Sequence, residues 1–339
     1  MPMTAAADAR PSTHPGRRTL LLGAAAGLAA PGLRAARAAD WPDRPVRLIV
    51  PFTPGGSTDI LARALAQQLS ESLGQQFIVE NRSGAGGTVG TEVVARAAPD
   101  GNTLLMGHIG TLAVNPALYP GLSFDTVTSF QPVILMAVVP NVLVVNPRKV
   151  EANDVPGLVA LAKRNPGAFT YGSGGNGSAA HIAMVAFAAA TGISLTHIPY
   201  RGTGPMMTDL IAGQIDLTMT GGPPALPAVR AGQVRALGVS GLSRLAAEPA
   251  IPTIAEQGVP GFEAVQWYGV VAPAGTPRAI VDRLNAECTR ILHGQALKAR
   301  LAAEGAEAAP GTPEAFGAFI RTERERWGAL IRSANVRPD

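Results

Sequence analysis

The run from Tyr171 to His181, YGSGGNGSAAH, puts glycines, hydroxyls, an amide and an imidazole side by side. Gly172-x-Gly174-x-x-Gly177 has the spacing of a dinucleotide-binding turn, and Gly172 and Gly177 frame a phosphate loop. Each reading needs a partner that is missing. A phosphate loop needs Lys and then a hydroxyl after its last glycine, but Ser178-Ala179 follow Gly177. A dinucleotide turn needs an acid about twenty residues on for the ribose, and residues 182–208 contain none. A serine nucleophile on a G-x-S-x-G elbow is also excluded, because residue 171 is Tyr and residue 176 is Asn. Ser178 and His181 stand at i and i+3, which suits a helix cap. A hydrolase using Ser173 or Ser178 is kept as the enzymatic alternative.

Anion capture by backbone groups remains. The first turn of a helix exposes free N–H groups and roughly half a positive charge, and glycine lets an anion approach them. Ser173, Asn176 and Ser178 add side-chain hydrogen bonds. A second stretch, PGGSTD at 54–59, offers the same chemistry. Two such loops facing one cleft would hold a small carboxylate. Asp59 reads as a first-turn residue complementing the helix dipole, and Arg82 and Arg201 as solvated or paired cations near loops. Trp267-Tyr268 either lines the cleft or packs in a hinge. His108, His181, His197 and His293 have no neighbours at zinc-ligand spacing, so no metal is expected. Cys288, the lone cysteine, falls on an apolar helical stripe and reads as core.

The elements that must position these loops alternate. VRLIV (46–50) reads as a buried strand, followed by a helix bearing Leu61, Leu65, Leu69 and Leu73 and stopped by Gly74. FIVE (77–80) and TLLMG (103–107) are further strands, separated by a glycine loop and a helix. An apolar stretch at 132–147 is suited to crossing between domains. The rhythm restarts with FTYG (169–172), the glycine loop and a helix, then LTHIPY (195–200), IDLTMT (215–220) and VRALGVS (234–240). AVQWYGVVAP (264–273) is a second crossing. Thr276-Pro277 and Thr312-Pro313 each place an N-cap before an N1 proline. This pattern predicts an α/β fold of two domains: 39–138 with 258–339, and 139–257, with a ligand in the crevice at the strand C-termini.

The N-terminus reads as a signal peptide over 1–38. Arg17-Arg18 precede an apolar run, and Ala36-x-Ala38 is a cleavage pattern; the arginine pair suggests the twin-arginine route. The 339-residue chain has 28 Lys+Arg and 24 Asp+Glu, but five arginines and one acid lie in 1–38, so the remainder is formally neutral. The basic pI therefore gives no reason to expect nucleic acid as a partner.

Five ordered stretches, WPDRPVRLIVPFTPGGSTDILAR, VENRSGAGGTVGTEVVARAAPDG, YGSGGNGSAAH, HIPYRGTGPMMTDLIAGQID and WYGVVAPAGTP, together resemble the Bug-type extracytoplasmic solute receptors of tripartite tricarboxylate transporters. The resemblance runs from Ala39 to about Val336. It implies a type II periplasmic-binding-protein fold, a cleft that closes like a flytrap, and a periplasmic monomer without cofactor. It further implies a ligand carboxylate held largely by backbone groups, delivered to membrane permease subunits; a receptor reporting to a membrane sensor is the alternative. The family's two ligand loops match Phe52, Thr53, Pro54, Gly55, Gly56 and Ser57, and Tyr171, Ser173, Gly174, Gly175, Asn176 and Ser178. His181, Tyr200 and Gly202 match further family positions, and Gly86, His108, Thr220 and Trp267 complete the candidate set. One departure stands out. Many members carry an acid where this chain reads Thr220-Gly221-Gly222, so a ligand with an ammonium group is disfavoured.

Overall fold

The computed structural model describes residues 41–303, 305–334 and 336; the leader expected at 1–38 lies outside the described residues. The apolar run Val46–Val50 forms β1, buried along its length except for Arg47. It feeds α1 (Ser57–Leu73), whose Leu61, Leu65 and Leu69 face the core and whose end is turned by Gly74 at φ 71°. β2 (Phe77–Asn81), α2 (Thr88–Ala95) and β3 (Thr103–His108) follow, with a 3₁₀ turn at Ala85–Gly87. A π-helical turn, Gly110–Val114, leads into the short α3 (Asn115–Leu118). The apolar stretch predicted to cross between domains is one strand of 16 residues, β4 (Phe130–Val145).

After α4 (Val155–Arg164) the second alternation runs β5 (Thr170–Ser173), α5 (Ala179–Thr191), β6 (Thr196–Pro199), α6 (Thr203–Ala212), β7 (Leu217–Gly221), α7 (Gly222–Arg230) and β8 (Arg235–Val239). β9 (Val265–Pro273), α8 (Arg278–His293), α9 (Gln295–Ala303), β10 (Glu307–Ala308) and α10 (Pro313–Ser333) complete the chain.

The strand order is β2-β1-β3-β9-β4-β7-β5-β6, with β8 and β10 also paired to β4. β1 is parallel to β2 and β3, and β5 is parallel to β6 and β7. β4 serves both groups. Its Phe130–Pro140 segment pairs antiparallel with β9, and Asn141–Val145 pairs antiparallel with β7. Residues at or just after the C-terminal ends of β1, β2, β3, β5, β6 and β7 line the site described next. Apolar clusters flank both groups, one of β1, α1, β9 and α8 residues and another of β4, α6 and α7 residues. Cys288 is buried in the first, as its helical stripe predicted.

One cap differs from expectation. Thr312 caps α10 by accepting from the Ala315 amide at 3.1 Å, but Thr276 does not cap α8. Pro277, with an extended ψ of 133°, is itself the residue before the helix. The Thr276 hydroxyl instead donates to the Pro273 carbonyl at 2.7 Å, closing a turn.

Candidate functional site

The first loop leaves β1 and is organised by Asp59. Its carboxylate accepts the Gly55 amide at 3.1 Å and the Asn81 side chain at 3.0 Å, and pairs with Arg63 at 2.9 Å. Burial opposes its ionisation, but these donors outweigh burial and hold the carboxyl below its ordinary value. Asp59 therefore does more than complement a dipole: it fixes the turn before α1. Gly56 precedes that helix with no side-chain cap, so the first N–H groups of α1 face the cleft.

The second loop is organised by imidazoles. Ser178 caps α5, accepting the His181 amide at 3.4 Å, and His181 Nδ1 accepts the Gly177 amide at 3.1 Å. Ser173 Oγ accepts the Gly175 amide at 3.1 Å and shares a 2.7 Å hydrogen bond with His197 Nε2. His181, His197 and Tyr171 stack, the two imidazoles at 4.2 Å and 7°. Burial, helped by repulsion from His197, lowers the His181 pKa to about 3. The Ser173–His197 pair resembles a nucleophile and its base, yet Ser173 is fully buried behind the loop. It braces Gly175 and is not among the lining residues of the two spaces described below.

Each loop meets a further turn: the first packs on the turn between β6 and α6, and the second on the turn between β2 and α2. A Cβ at Gly202 would fall 1.9 Å from Thr53 Oγ1, one at Gly204 2.7 Å from the Pro54 carbonyl, and one at Gly86 2.4 Å from the Asn176 carbonyl. Asn115 Nδ2 donates to the Gly86 carbonyl at 3.0 Å. Bare backbone at these points is what allows the approach.

A small cavity of about 20 Å³ lies between the first turns of α1 and α5. Ser57, Thr58, Ala179 and Ala180 bring helix N-termini to it; Gly56, Gly174, Ser178, Thr203 and Thr220 also line it. Phe52, His108, Gln266 and Tyr268 close it. His108 is held neutral, its pKa lowered to about 4 by burial. No described lining residue carries a formal charge, and the N-termini of two helices present first-turn N–H groups there. A larger groove of about 530 Å³ opens beside it, sharing Phe52 and Gly174 and lined also by Ser83–Gly87, Tyr119, Gly175, Asn176, Pro199, Tyr200 and Arg201.

Of the residues expected from sequence, Phe52, Gly56, Ser57, Gly86, His108, Gly174, Gly175, Asn176, Ser178, Tyr200 and Thr220 line these two spaces. Thr53, Pro54 and Gly55 pack loop against loop instead, and Tyr171, Ser173 and His181 support the second loop from behind. Trp267 is a correction. Its indole donates to Glu323 at 2.8 Å and packs on Phe316 and Phe319 of α10. Strand alternation sends Gln266 and Tyr268 to the cavity and Trp267 to the opposite face. Gln266, Tyr119 and, apart from Gly86, the Ser83–Gly87 turn escaped the sequence reading, and Tyr268 was left open between cleft and hinge. The period of two in β9 held the signal for Gln266 and Tyr268, but not which face was inside.

Asp209 and Asp216, two further acids, are also engaged. Asp209 accepts the Tyr200 hydroxyl at 2.8 Å, and Asp216 accepts the amide and hydroxyl of Thr170 at 2.7 and 2.8 Å. Among the described residues no cluster of three metal-ligating side chains occurs, and no helix is long and apolar enough to cross a membrane.

Comparison with known proteins places this geometry. Residues 61–336 match the tripartite tricarboxylate transporter family receptor. Rpa4515 from R. palustris, solved with adipate, is 38% identical, with a TM-score of 0.86 over 88% of this chain and 100% of that one. The periplasmic binding protein BugD is 36% identical, with a TM-score of 0.84 over 88% and 100%. MatC (Rpa3494) from Rhodopseudomonas palustris, solved with malate, is 33% identical, with a TM-score of 0.81 over 86% and 99%. The fold is thus that of the periplasmic binding proteins, and the family is one of binding proteins rather than enzymes. The chain belongs to the receptors of tripartite tricarboxylate transporters.

Proposed function

We propose that this receptor captures a small organic carboxylate in the periplasm and hands it to the membrane permease subunits of its transporter. The observation that carries the reading is the cavity between the α1 and α5 N-termini, lined by hydroxyls and first-turn residues and free of charged side chains among its described lining residues. A carboxylate is the ligand group that two sets of first-turn amides recognise. Relatives solved with adipate and malate support the same class.

The same reading divides the protein into two lobes, 39–138 with 258–339 and 139–257. They would turn about the β4 position where pairing changes from β9 to β7, between Pro140 and Asn141, and about the return strand near Ala264. A buried relay joins this point to the cavity. Asn141 bonds Ser240, Ala264 and Gln266, and Gln266 bonds Tyr268. Closure, with loops of both lobes in contact, is the state a permease would read.

An amino-acid ligand is disfavoured. Thr220-Gly221-Gly222 supplies no acid, Asp209 and Asp216 are committed elsewhere, and an unpaired buried ammonium costs several kcal/mol. The test is calorimetry on protein unfolded and refolded to strip carried-over ligand. Binding of simple mono- or dicarboxylates with weak or no binding of aspartate and glutamate is expected. Tight binding of glutamate alone, with no response to any simple carboxylate, overturns the reading.

A further inference from the structure

The two spaces differ in what they can hold. The inner cavity, about 20 Å³, has room for a terminal group and not for a whole organic acid. The outer groove, about 530 Å³, falls within the range of roughly 300–1,000 Å³ usual for small-ligand sites. Phe52 and Gly174 belong to both linings, so a ligand whose head sits inside must send its body into the groove. There Phe52, Tyr119 and Pro199 offer apolar surface. Arg201 is the charged residue among the described lining residues, and no acid accompanies it.

Arg201 is set up for a ligand rather than for the fold. It is exposed, and none of the described ion pairs includes it, whereas Arg82 nearby is tied to Glu80. Its neighbours are fixed on both sides. Tyr200 is anchored through its hydroxyl to Asp209, and Gly202 is pressed against Thr53 with no room for a side chain. The backbone of Arg201 is therefore held while its guanidinium stays available at the groove wall.

We propose that Arg201 reads an anionic group at the far end of the ligand, so that this receptor selects dicarboxylates with an apolar midsection over monocarboxylates of the same length. The inference rests on the inner cavity being a carboxylate subsite. A guanidinium presents paired donors that match a carboxylate fork, and such charge-assisted bonds are stronger than neutral ones.

Matched acids test it: succinate against butyrate, adipate against hexanoate, and phthalate against benzoate, each titrated into refolded wild type, Arg201→Gln and Arg201→Lys. In at least one pair the diacid should bind wild type about tenfold tighter or more, the scale of one hydrogen bond to a charged group. Arg201→Gln should bring that ratio towards one, and Arg201→Lys should keep part of it. The inference is overturned if monoacids bind as tightly as their diacids, or if the preference survives in Arg201→Gln. If none of the six acids binds, the carboxylate reading of the inner cavity fails, and the role of Arg201 fails with it.

Discussion

The loop before α1 and the loop before α5 do the same job with different chemistry. The first is held by a charge: Asp59 collects the Gly55 amide, Asn81 and Arg63, and the helix start is left uncapped. The second is held by aromatic nitrogen: His181 and His197 take up Gly177 and Ser173, and Ser178 caps the helix. Both arrangements aim first-turn amides into one cavity. The lesson is that the anion site depends on where helices begin. How each start is braced is free to vary, and that choice decides which conditions loosen it.

Aspartate placed in either loop should give the largest effect. Gly56→Asp and Gly175→Asp each set a carboxylate where the ligand's own carboxylate is proposed to lie. Two charges about 4 Å apart near a protein surface repel by about 4 kcal/mol, or roughly a thousandfold in affinity. The two variants should part in stability. Gly56 has φ −85°, which any residue adopts, whereas Gly175 has φ 111° and a Cβ there would fall 3.1 Å from the Tyr200 carbonyl. Gly175→Asp should therefore lose about 1–3 kcal/mol in urea unfolding as well, and Gly56→Asp clearly less. Wild-type affinity in both variants would remove the site from these loops.

Breaking the braces comes next. Asp59→Asn removes the charge that collects three donors and should cost about 2 kcal/mol in unfolding, the scale of a lost hydrogen bond to a charged group. Ligand affinity should fall with it, because Gly55 is freed.

The braces should also titrate in different ranges. His181 has a pKa lowered to about 3, against an ordinary value of about 6.5. The unfolded chain takes up the proton first, so this contribution is complete above pH 6.5 and drains as pH falls from there towards 3. His108, lowered to about 4, adds to the same window. Asp59 is also depressed, but from the carboxylate range. Its contribution is complete above about pH 4 and is lost only as pH falls further. Stability followed by urea unfolding from pH 7 to pH 4.5 should decline, and His181→Phe should decline less steeply. An unchanged slope in that variant would show that His181 is not the titrating brace.

The smallest expected effect is at the cap. Ser178→Ala should cost about 0.5–1 kcal/mol of stability. Its 3.4 Å bond to the His181 amide is long, which favours the lower end.

Much of this was written in the chain. The alternation of apolar strands with helices, the glycine loops, the stop at Gly74, the cap at Thr312 and the missing lysine and acid around Gly177 are local patterns. Local sterics and hydrogen bonding enforce them without reference to the rest of the molecule. Excluding nucleotide chemistry, and favouring backbone capture of an anion, followed from those residues alone.

Tertiary packing decided the remainder. Sequence parity put Trp267 and Tyr268 on opposite faces of a strand, but only the seat of α10 made Trp267 core and gave Tyr268 to the cavity. Gln266, Tyr119 and the Ser83–Gly87 turn became site residues because distant segments converge there. Arg201 read as one more solvated cation until the groove showed what stands around it. The periodicity of a strand or helix is set by neighbours along the chain. Which face turns inward, and which groups from far away meet it, is set by how the layers pack, and a single sequence carries no local record of that.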